Sequence, residues 1–298
     1  MSTPHSNTRP LIFGEVLFDR FPDGSVVLGG APFNVAWHLQ SFGAHPLFIS
    51  SVGNDALGQD IVTAMEGWGM DMSGVQQDSE HATGTVDVTF QDGEPRFDIV
   101  ENRAYDFIDK NRLPSLRNLE LVYHGTLALR SHTSAEALKH IRQTTTVPAF
   151  TDINLRSPWW HHDTVTEVIN NSRWLKLNEY ELSIMVSEGV DAEAKADRLL
   201  VDASLAFIVV TQGEQGAFVK TKEGECYHIV PESVGGVVDT VGAGDAFSSV
   251  VVLGIIRKWP LALVLERAQQ FASAIVGVRG ATVSDRKFYL TFIESWKD

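Results

Sequence analysis

The residues with the clearest chemical potential are Gly242, Ala243, Gly244 and Asp245, which stand directly before an apolar, helix-compatible stretch at residues 246–256. Successive amides of small residues at a helix N-terminus attract an anion, and the small side chains let a phosphate approach the backbone closely. A carboxylate does not bind an anion, so Asp245 needs another role. It either accepts a proton from a hydroxyl that attacks phosphorus, or it caps the helix. The first alternative is the chemistry of a kinase.

The composition limits the classes of partner. The chain has 298 residues, a formal net charge of −14 and no cluster of Lys and Arg. Nucleic acid and anionic membrane surfaces are therefore poor partners. The length fits a single large α/β domain over residues 1–298 with a small appendage. An acidic chain that binds ATP must rely on local amides, a few basic groups and a metal ion.

Cysteine usage and hydropathy indicate the compartment. Cys226 is the only cysteine of the chain, which excludes an intrachain disulfide and predicts no thiolate metal site. Residues 1–10 are polar, and no apolar run approaches the roughly 18 residues of a membrane span. A soluble protein of the reducing cytoplasm is expected.

Apolar runs of strand length alternate with amphipathic stretches along the chain. Strands that are apolar throughout are buried on both faces, and the helices between them serve as crossovers. The pattern predicts an α/β fold with a mostly parallel sheet covered by helices on both sides, a three-layer α/β/α sandwich. The predicted strands are residues 11–13, 47–52, 119–123, 149–153, 174–177 and 207–210, and the predicted helices are residues 33–41, 57–68, 134–142, 165–172, 179–187 and the stretch after Gly244.

Two hairpins interrupt this alternation. Residues 19–28 turn at P-D-G, and residues 83–100 form two alternating strands about a turn at residues 91–95. Together they predict a small sheet that stands off the main one. The hairpins are either decorative or a lid that excludes water during phosphoryl transfer.

The stretch D-T-V-G-A-G-D-A-F at residues 239–247 resembles the C-terminal signature of the PfkB/ribokinase family of sugar kinases, D-T-x-G-A-G-D-x-F. Three further motifs resemble the N-terminal half of the same family in the same order: G-E-V-L-F-D at residues 14–19, G-G-A-P-F-N-V-A at residues 29–36 and S-V-G-N-D-A-L-G at residues 51–58. The resemblance spans nearly the whole chain. It implies a ribokinase-like fold, an anion hole at the Gly-Ala-Gly amides and a catalytic base at the Asp that follows them.

The N-terminal motifs imply a sugar site. By the resemblance, Asp19 binds sugar hydroxyls, and Gly30 and Asn34 hold the other edge of the sugar. A carboxylate suits two vicinal hydroxyls because charge-assisted hydrogen bonds are stronger than neutral ones. For Asp55 and Gly58 we predict a structural role, in a turn and at a helix start.

The segment D-I-N-L-R at residues 152–156, with Trp159 soon after, is similar to fructokinase-like members of the family. Arg156 either binds the substrate or a phosphate, or pairs with Asp152 or a neighbouring carboxylate. The His-His-Asp run at residues 161–163 contains metal-ligand types, but adjacent positions at a helix start do not converge. We predict a solvated face there.

Asn178 and Glu181 lie three residues apart at the start of a predicted helix, hence on one helical face. The spacing alone is common and predicts a surface residue at Glu181. The resemblance implies instead that this N-x-x-E pair holds Mg²⁺ through water and orders the phosphates. Mg²⁺ keeps several waters and takes few protein ligands, which suits so sparse a contribution.

The segment T-Q-G-E-Q-G, with Thr211, Gly213 and Gly216, resembles the nucleotide loop of the family, and Ala274 lies on a helix where an adenine could lie flat. No P-loop motif occurs in the sequence, and no lysine stands within the Gly-Ala-Gly-Asp nest. Charge neutralisation is expected from amides, Mg²⁺ and a monovalent cation such as K⁺ near Asp239 and Ser284, which the resemblance implies.

The leading functional hypothesis is an ATP-dependent sugar kinase that converts fructose to fructose 6-phosphate. One alternative is a kinase for another sugar or a nucleoside, such as ribose or 2-keto-3-deoxygluconate. Another is a non-catalytic sugar-binding regulator, against which the intact motifs argue. A lid with an exposed apolar face seldom stays alone, so a homodimer through the lid is expected.

Overall fold

The strands of the chain form two sheets. In the computed structural model, which describes residues 8–91, 94–231 and 238–297, the strands in chain order are β1 (Arg9–Phe13), β2 (Leu17–Arg20), β3 (Val26–Gly29), β4 (Leu47–Gly53), β5 (Val75–Asp78), β6 (Gly84–Gln91), β7 (Glu94–Ile99), β8 (Leu119–His124), β9 (Ala149–Asp152), β10 (Trp174–Asn178), β11 (Phe207–Thr211), β12 (Ala217–Thr221) and β13 (Cys226–Ile229). The main sheet has nine strands in the order β13-β12-β11-β10-β9-β8-β1-β4-β5, and the smaller sheet has four in the order β3-β2-β6-β7.

The main sheet is parallel over most of its width. All neighbouring strands from β11 across to β5 are parallel, whereas β12 is antiparallel to both β11 and β13. The carboxyl ends of the parallel strands therefore lie along one edge, where open α/β sheets bind their ligands. Asp152, Asn178 and Thr211 end three adjacent strands at this edge.

Helices cover both faces of the main sheet. They are α1 (Ala31–Ser41), α2 (Ala56–Trp68), α3 (His132–Thr144), α4 (His162–Asn170), α5 (Glu179–Met185), α6 (Ala192–Asp202), α7 (Ala243–Arg257), α8 (Leu261–Val276) and α9 (Arg286–Ser295). Successive residues of β1 point to opposite faces. Ile12 packs in the apolar cluster that contains α1, α2, α7, α8 and α9, and Leu11 and Phe13 pack in the cluster that contains α3. The predicted three-layer α/β/α architecture is confirmed.

The smaller sheet is built from the two predicted hairpins. β2 pairs antiparallel with β3, β6 pairs antiparallel with β7, and β2 joins β6 in parallel. This four-stranded lid sheet confirms the predicted β lid, although residues 92 and 93 of the second predicted turn lie outside the described residues. Its two edge strands expose apolar side chains, Val26 at 46% and Phe97 at 53% of their surface.

Asp55 and Gly58 have the structural role predicted for them. Asp55 caps α2 by accepting the N–H of Gly58 at 2.8 Å, and it also accepts the N–H of Thr83 at 2.8 Å and its hydroxyl at 2.7 Å. Thr83 immediately precedes β6. Asp55 therefore ties the start of α2 to the start of the lid strand.

Some elements differ from the sequence prediction. α1 begins at Ala31 rather than residue 33, because Pro32 in its first turn has a backbone angle preset for a helix. α4 begins at His162 rather than residue 165. The elements β5, α6, β12, β13 and α9 were not predicted from the sequence. None of the helices in the described ranges has the length and hydropathy required to cross a membrane.

Candidate active site

The residues of the predicted anion nest lie at the start of α7. Gly242 precedes the helix with a left-handed φ of 81°, and no side chain caps this helix. The first amides of a helix have no intrahelical acceptor, and the N–H of Ala243 makes only a long hydrogen bond, 3.4 Å, to the carbonyl oxygen of Thr240. A Cβ added to Gly244 would meet only the Lys176 ammonium, at 3.7 Å. The backbone is therefore open to a close approach, as the three small residues Gly242, Ala243 and Gly244 predicted.

Asp245 lies beside the nest and contacts the opposite side of the site. Its carboxylate accepts a hydrogen bond from Nδ2 of Asn34 at 2.8 Å, and it does not cap α7. The helix-capping alternative is thus not observed. Burial raises the pKa of Asp245 to about 6; the Asn34 bond lowers it, the negative charge of Asp152 raises it, and Lys176 lowers it. A carboxylate with such a pKa is suited to accept a proton near neutral pH.

A buried ion pair lies beside the nest. Nζ of Lys176 on β10 donates to Asp152 at the end of β9 at 2.7 Å, and the hydroxyl of Ser248 in α7 donates to the same oxygen at 2.7 Å. Residues 242–245 contain no lysine, as the sequence shows, but the fold brings Lys176 beside Gly244 from a distant strand. Its signal in the sequence is a lysine within the apolar run W-L-K-L-N, since a buried lysine requires a partner.

The predicted sugar residues converge beside Asp245. The nearest atoms to a Cβ placed on Gly29 are Oδ2 of Asp19 at 3.8 Å and Oδ1 of Asn34 at 4.0 Å. Oδ1 of Asn34 is buried and accepts no hydrogen bond from the described residues, so it is an acceptor free for a ligand hydroxyl. Gly30 has φ 109°, and its Cβ would lie 2.7 Å from the carbonyl oxygen of Glu15. Only glycine fits that turn.

Asp19 is electrostatically linked to the rest of the site. Burial raises the pKa of Asp19 to about 6, the positive charge of Arg156 lowers it, and the negative charge of Asp239 raises it. A carboxylate at this position can accept hydrogen bonds from two hydroxyls when it is ionised. Asp19 and Asp245 therefore share the field of Arg156.

Arg156 does not pair with Asp152, the alternative partner considered from the sequence. Asp152 is held by Lys176 and Ser248. Among the described residues, the hydrogen bond recorded for the Arg156 guanidinium is a long one, 3.4 Å, to the carbonyl oxygen of Leu155. Its positive charge lowers the pKa of Glu15 and of Asp19. These observations favour the ligand-binding alternative.

Glu15 is a site residue to which the sequence reasoning assigned no role. It is only 4% exposed, and its Oε2 has no partner among the described residues. Burial raises its pKa to about 7; Arg156 lowers the pKa and Asp245 raises it. The sequence feature that could have indicated this role is the carboxyl of Glu15 next to the apolar residues of G-E-V-L-F-D, because a turn with only a structural role does not need a carboxyl there.

Asn178 and Glu181 form a reciprocal cap at the start of α5. Asn178 Oδ1 accepts the N–H of Glu181, and Glu181 Oε2 accepts the N–H of Asn178, both at 2.8 Å. Oε1 of Glu181 accepts the N–H of Leu155 at 2.7 Å. Glu181 is 4% exposed, so the surface alternative is wrong. Because backbone donors occupy both of its oxygens, Glu181 fits a cation held through water better than one bound directly.

The loop predicted to bind the nucleotide lies next to the cap formed by Asn178 and Glu181. Asn178 and Thr211 are neighbours in the register of β10 and β11. Gly213 and Gly216 adopt φ of 59° and 93°, and a Cβ on Gly216 would overlap the carbonyl oxygen of Ile229. The loop is therefore tight and backed by the end of β13. Ala274 is partly buried in the last turns of α8.

Asp239 and Ser284, the residues expected near a monovalent cation, are not joined to each other by a hydrogen bond in the described part of the chain. Asp239 accepts the N–H of Val241 at 3.0 Å and the N–H of Gly280 at 3.1 Å, one with each carboxylate oxygen. Ser284 is exposed, and within the described ranges no hydrogen bond joins it to Asp239. The carboxylate of Asp239 thus fixes the loop that leads into the nest.

Comparison with known proteins extends beyond the motifs. The family profile described as pfkB family carbohydrate kinase matches residues 9–287. The fructokinase of Escherichia coli is 28% identical over 291 residues, which covers 91% of this chain and 94% of that protein. The resemblance on which the sequence interpretation rested is confirmed.

Two solved structures superimpose on nearly the whole chain. A fructokinase double mutant from Vibrio cholerae O395, bound to fructose, ADP and potassium ion, has a TM-score of 0.82 at 23% identity and covers 98% of this chain and 100% of its own. Aminoimidazole riboside kinase from Salmonella enterica, complexed with aminoimidazole riboside and an ATP analog, has a TM-score of 0.83 at 23% identity and covers 96% and 100%. These likenesses establish the fold. Because the family profile matches most of the sequence, the chain belongs to the pfkB family of carbohydrate kinases.

Proposed function

We propose that this sugar kinase transfers the γ-phosphoryl group of ATP to a hydroxyl of fructose, giving fructose 6-phosphate. The observation that carries the proposal is the contact between Asp245 and Asn34. It joins the anion nest of α7 to the sugar side of the fold, so one carboxylate borders both substrates. The fructokinase relatives support fructose as the first candidate.

Asp245 acts as the base of the transfer. It accepts the proton of the attacking hydroxyl as the sugar oxygen bonds to the γ-phosphorus, and the bond from that phosphorus to the β,γ-bridging oxygen breaks to release ADP. The proton then passes to solvent. Asn34 orients the carboxylate through its Nδ2 and offers its free Oδ1 to the sugar.

Charge on the transferring group is neutralised from two sides. The amides of Gly242, Ala243 and Gly244 face the phosphate, and the ammonium of Lys176 lies beside Gly244. Asn178 and Glu181 would hold Mg²⁺ through water on the other side. When bound, Mg²⁺ neutralises the β- and γ-phosphate oxygens. K⁺ beside Asp239 and Ser284 is proposed as an activator, and comparing rates in potassium and sodium buffers tests it.

The two substrates occupy opposite sides of Asp245. The sugar lies against Asp19, Gly30, Asn34 and Arg156. The nucleotide lies along Thr211, Gly213, Gly216 and Ala274, at the carboxyl edge of the main sheet. This arrangement places the lid sheet over the sugar, where closure excludes water.

Residues 1–298 form a single kinase domain in this proposal, with residues 19–28 and 83–100 as the lid. Two copies associate through the lid sheet. The exposed Val26 and Phe97 on its edge strands support this homodimer, since an uncovered apolar sheet edge favours association.

ADP release in the presence of single sugars tests the substrate. The panel contains fructose, ribose, 2-keto-3-deoxygluconate and a purine nucleoside, and the product is identified by phosphorus NMR. We expect the highest kcat/KM with fructose. A higher value with ribose or a nucleoside would keep the kinase and replace the sugar. A nucleoside is included because the aminoimidazole riboside kinase shares the fold. No turnover with any sugar would favour the non-catalytic regulator.

A further inference from the structure

Three side chains of metal-ligand type meet far along the main sheet from Asp245, at its antiparallel edge. We call Glu193, Cys226 and His228 the edge cluster. Nε2 of His228 lies 3.0 Å from Oε1 of Glu193, Sγ of Cys226 lies 3.7 Å from Oε2 of Glu193, and Sγ lies 3.9 Å from Nε2. One ligand atom from each residue lies within 4.8 Å of the others.

The fold explains why these residues meet. Cys226 and His228 are two residues apart on β13, so their side chains project from the same face of the strand. Glu193 is in the first turn of α6, which packs on that face against β11 and β12. One edge strand and one helix therefore supply all three groups.

The separations are close to those of ligands around one small cation. In tetrahedral zinc sites the metal lies about 2.3 Å from sulfur and about 2.0 Å from nitrogen or oxygen, which places neighbouring ligand atoms roughly 3.3–3.6 Å apart. In the edge cluster, His228 lies near Oε1 of Glu193 and Cys226 lies near Oε2, and one ligand atom from each residue lies within 4.8 Å of the others. Small rotations of these partly exposed side chains would bring a single oxygen of Glu193 together with Sγ and Nε2.

The surrounding charges also fit a dication. Lys220 lies opposite Cys226 on β12 and pairs with Asp197 at 2.6 Å, so these two charges cancel. Lys220 also lies 3.5 Å from Glu193. A thiolate at Cys226 and the carboxylate of Glu193 then carry two negative charges. A metal ion bound by the thiolate releases the proton of the thiol.

We propose that Glu193, Cys226 and His228 bind Zn²⁺, with water as the fourth ligand. A thiolate and an imidazole select a metal of borderline softness over Mg²⁺ or Ca²⁺, which prefer oxygen ligands. The site is distinct from the Mg²⁺ position at Asn178 and Glu181. It pins β13 to α6, and β13 ends at Ile229, whose carbonyl backs Gly216. The sequence predicted no thiolate metal site because the number of cysteines alone does not show that Glu193 and His228 lie near Cys226.

Cobalt substitution tests the site because Cys226 is the only cysteine of the chain. A thiolate-to-cobalt charge-transfer band in the near ultraviolet therefore has one source. Protein stripped of metal is titrated with Co²⁺ without nucleotide, and Zn²⁺ is then added. We expect a band that saturates at one Co²⁺ per chain and is lost on addition of Zn²⁺. The thermal midpoint of unfolding should rise with Zn²⁺.

Variants separate a three-ligand site from a reactive thiol. Cys226→Ser should abolish the band, and Glu193→Gln and His228→Ala should each weaken Co²⁺ binding at least about 10-fold, the smaller effect known for lost supporting groups of metal sites. His162→Ala, at an exposed histidine of α4, is the matched control and should bind normally. Absence of the band, or a band that Glu193→Gln and His228→Ala leave unchanged, would overturn the proposal. Fructose kinase activity plays no part in this test, so the two proposals fail independently.

Discussion

The carboxylate of Asp245 has a pKa of about 6 because its burial outweighs the stabilising bond from Asn34. A general base must be ionised, and its ionised fraction falls as the pH drops through its pKa. We therefore predict that kcat/KM for the sugar is constant above about pH 7 and falls below about pH 6. The measurement is a pH profile at low sugar and saturating ATP.

The Asn34→Ala variant assigns that acid limb to Asp245. Loss of the Asn34 hydrogen bond removes a contribution that lowers the pKa of Asp245, so the limb should move to higher pH. Asp19 also has a pKa of about 6, but Asn34 does not contribute to it. Asp19→Ala is the matched control and should reduce sugar kcat/KM without moving the limb. A limb that moves only in Asp19→Ala would assign the titration to Asp19 and contradict the prediction for Asp245.

At the residue scale, the sequence predicted the residues whose motif is local and missed those whose partner is distant. Asn34 and Asp245 stand in short recognisable strings, and the structure brings them together. Lys176 and Glu15 have partners or neighbours supplied by other strands. Their burial follows from tertiary packing, which spacing along the chain does not report.

The two glycines of the nest are under different constraints, which gives a prediction at the scale of the helix terminus. A Cβ on Gly244 meets only Lys176 at 3.7 Å, so Gly244→Ala should change the free energy of unfolding by about 1 kcal/mol or less. It should lower kcat/KM for ATP by about 10²-fold, the scale of one lost oxyanion donor, because a methyl group keeps the phosphate from the amides.

Gly242→Ala is the contrast. Its φ is 81°, and its Cβ would lie 2.5 Å from Cα of Ala281, so it should destabilise the fold itself. Chemical denaturation and ATP kinetics on both variants separate the effects. A Gly244→Ala enzyme with normal ATP kinetics would show that phosphate does not approach this turn.

The pair of Lys176 and Asp152 links β10, β9 and, through Ser248, α7. We predict that Lys176→Met destabilises the protein by about 3–5 kcal/mol, because it leaves a buried carboxylate without its cation. Adding Asp152→Asn should restore most of that stability, since the second change removes the orphaned charge. Urea denaturation of the single and double variants measures both effects.

The same double variant tests whether the positive charge of Lys176 beside the nest contributes to the reaction with ATP. It lacks the Lys176 cation even where its fold is restored. We expect kcat/KM for ATP to remain low at temperatures where the double variant is fully folded. Recovery of activity together with stability would restrict Lys176 to a structural role.

At the element scale, the sequence predicted the buried parallel strands and missed peripheral elements. The buried strands are continuous apolar runs, which periodicity detects. β13 has three half-buried residues and one exposed residue, and no such run. α9 is rich in aromatic residues, which are weak helix formers. Its Tyr289 and Phe292 are buried in the apolar cluster of α1 and α8, so packing rather than local preference decides its helix.

At the scale of the whole molecule, the prediction concerns the association of two copies through the lid sheet. If two copies associate through it, Phe97→Asp should place a charge in the interface and give a monomer at concentrations where the parent is a dimer. Light scattering coupled to size exclusion measures this. Val201→Asp, at an exposed apolar residue of α6, is the control and should leave the mass unchanged. A parent protein that is already monomeric at micromolar concentration would remove the dimer and leave the kinase.

The central claim is that Asp245 is the base of ATP-dependent sugar phosphorylation, and the most direct test is turnover by Asp245→Asn. The substitution keeps the shape of the side chain and the amides of the nest but removes the proton acceptor. We predict that kcat falls by at least about 10²-fold, the lower end for a positioned acid or base, while both substrates still bind and the thermal midpoint is nearly unchanged. An Asp245→Asn enzyme that turns over within a few-fold of the parent would contradict the account.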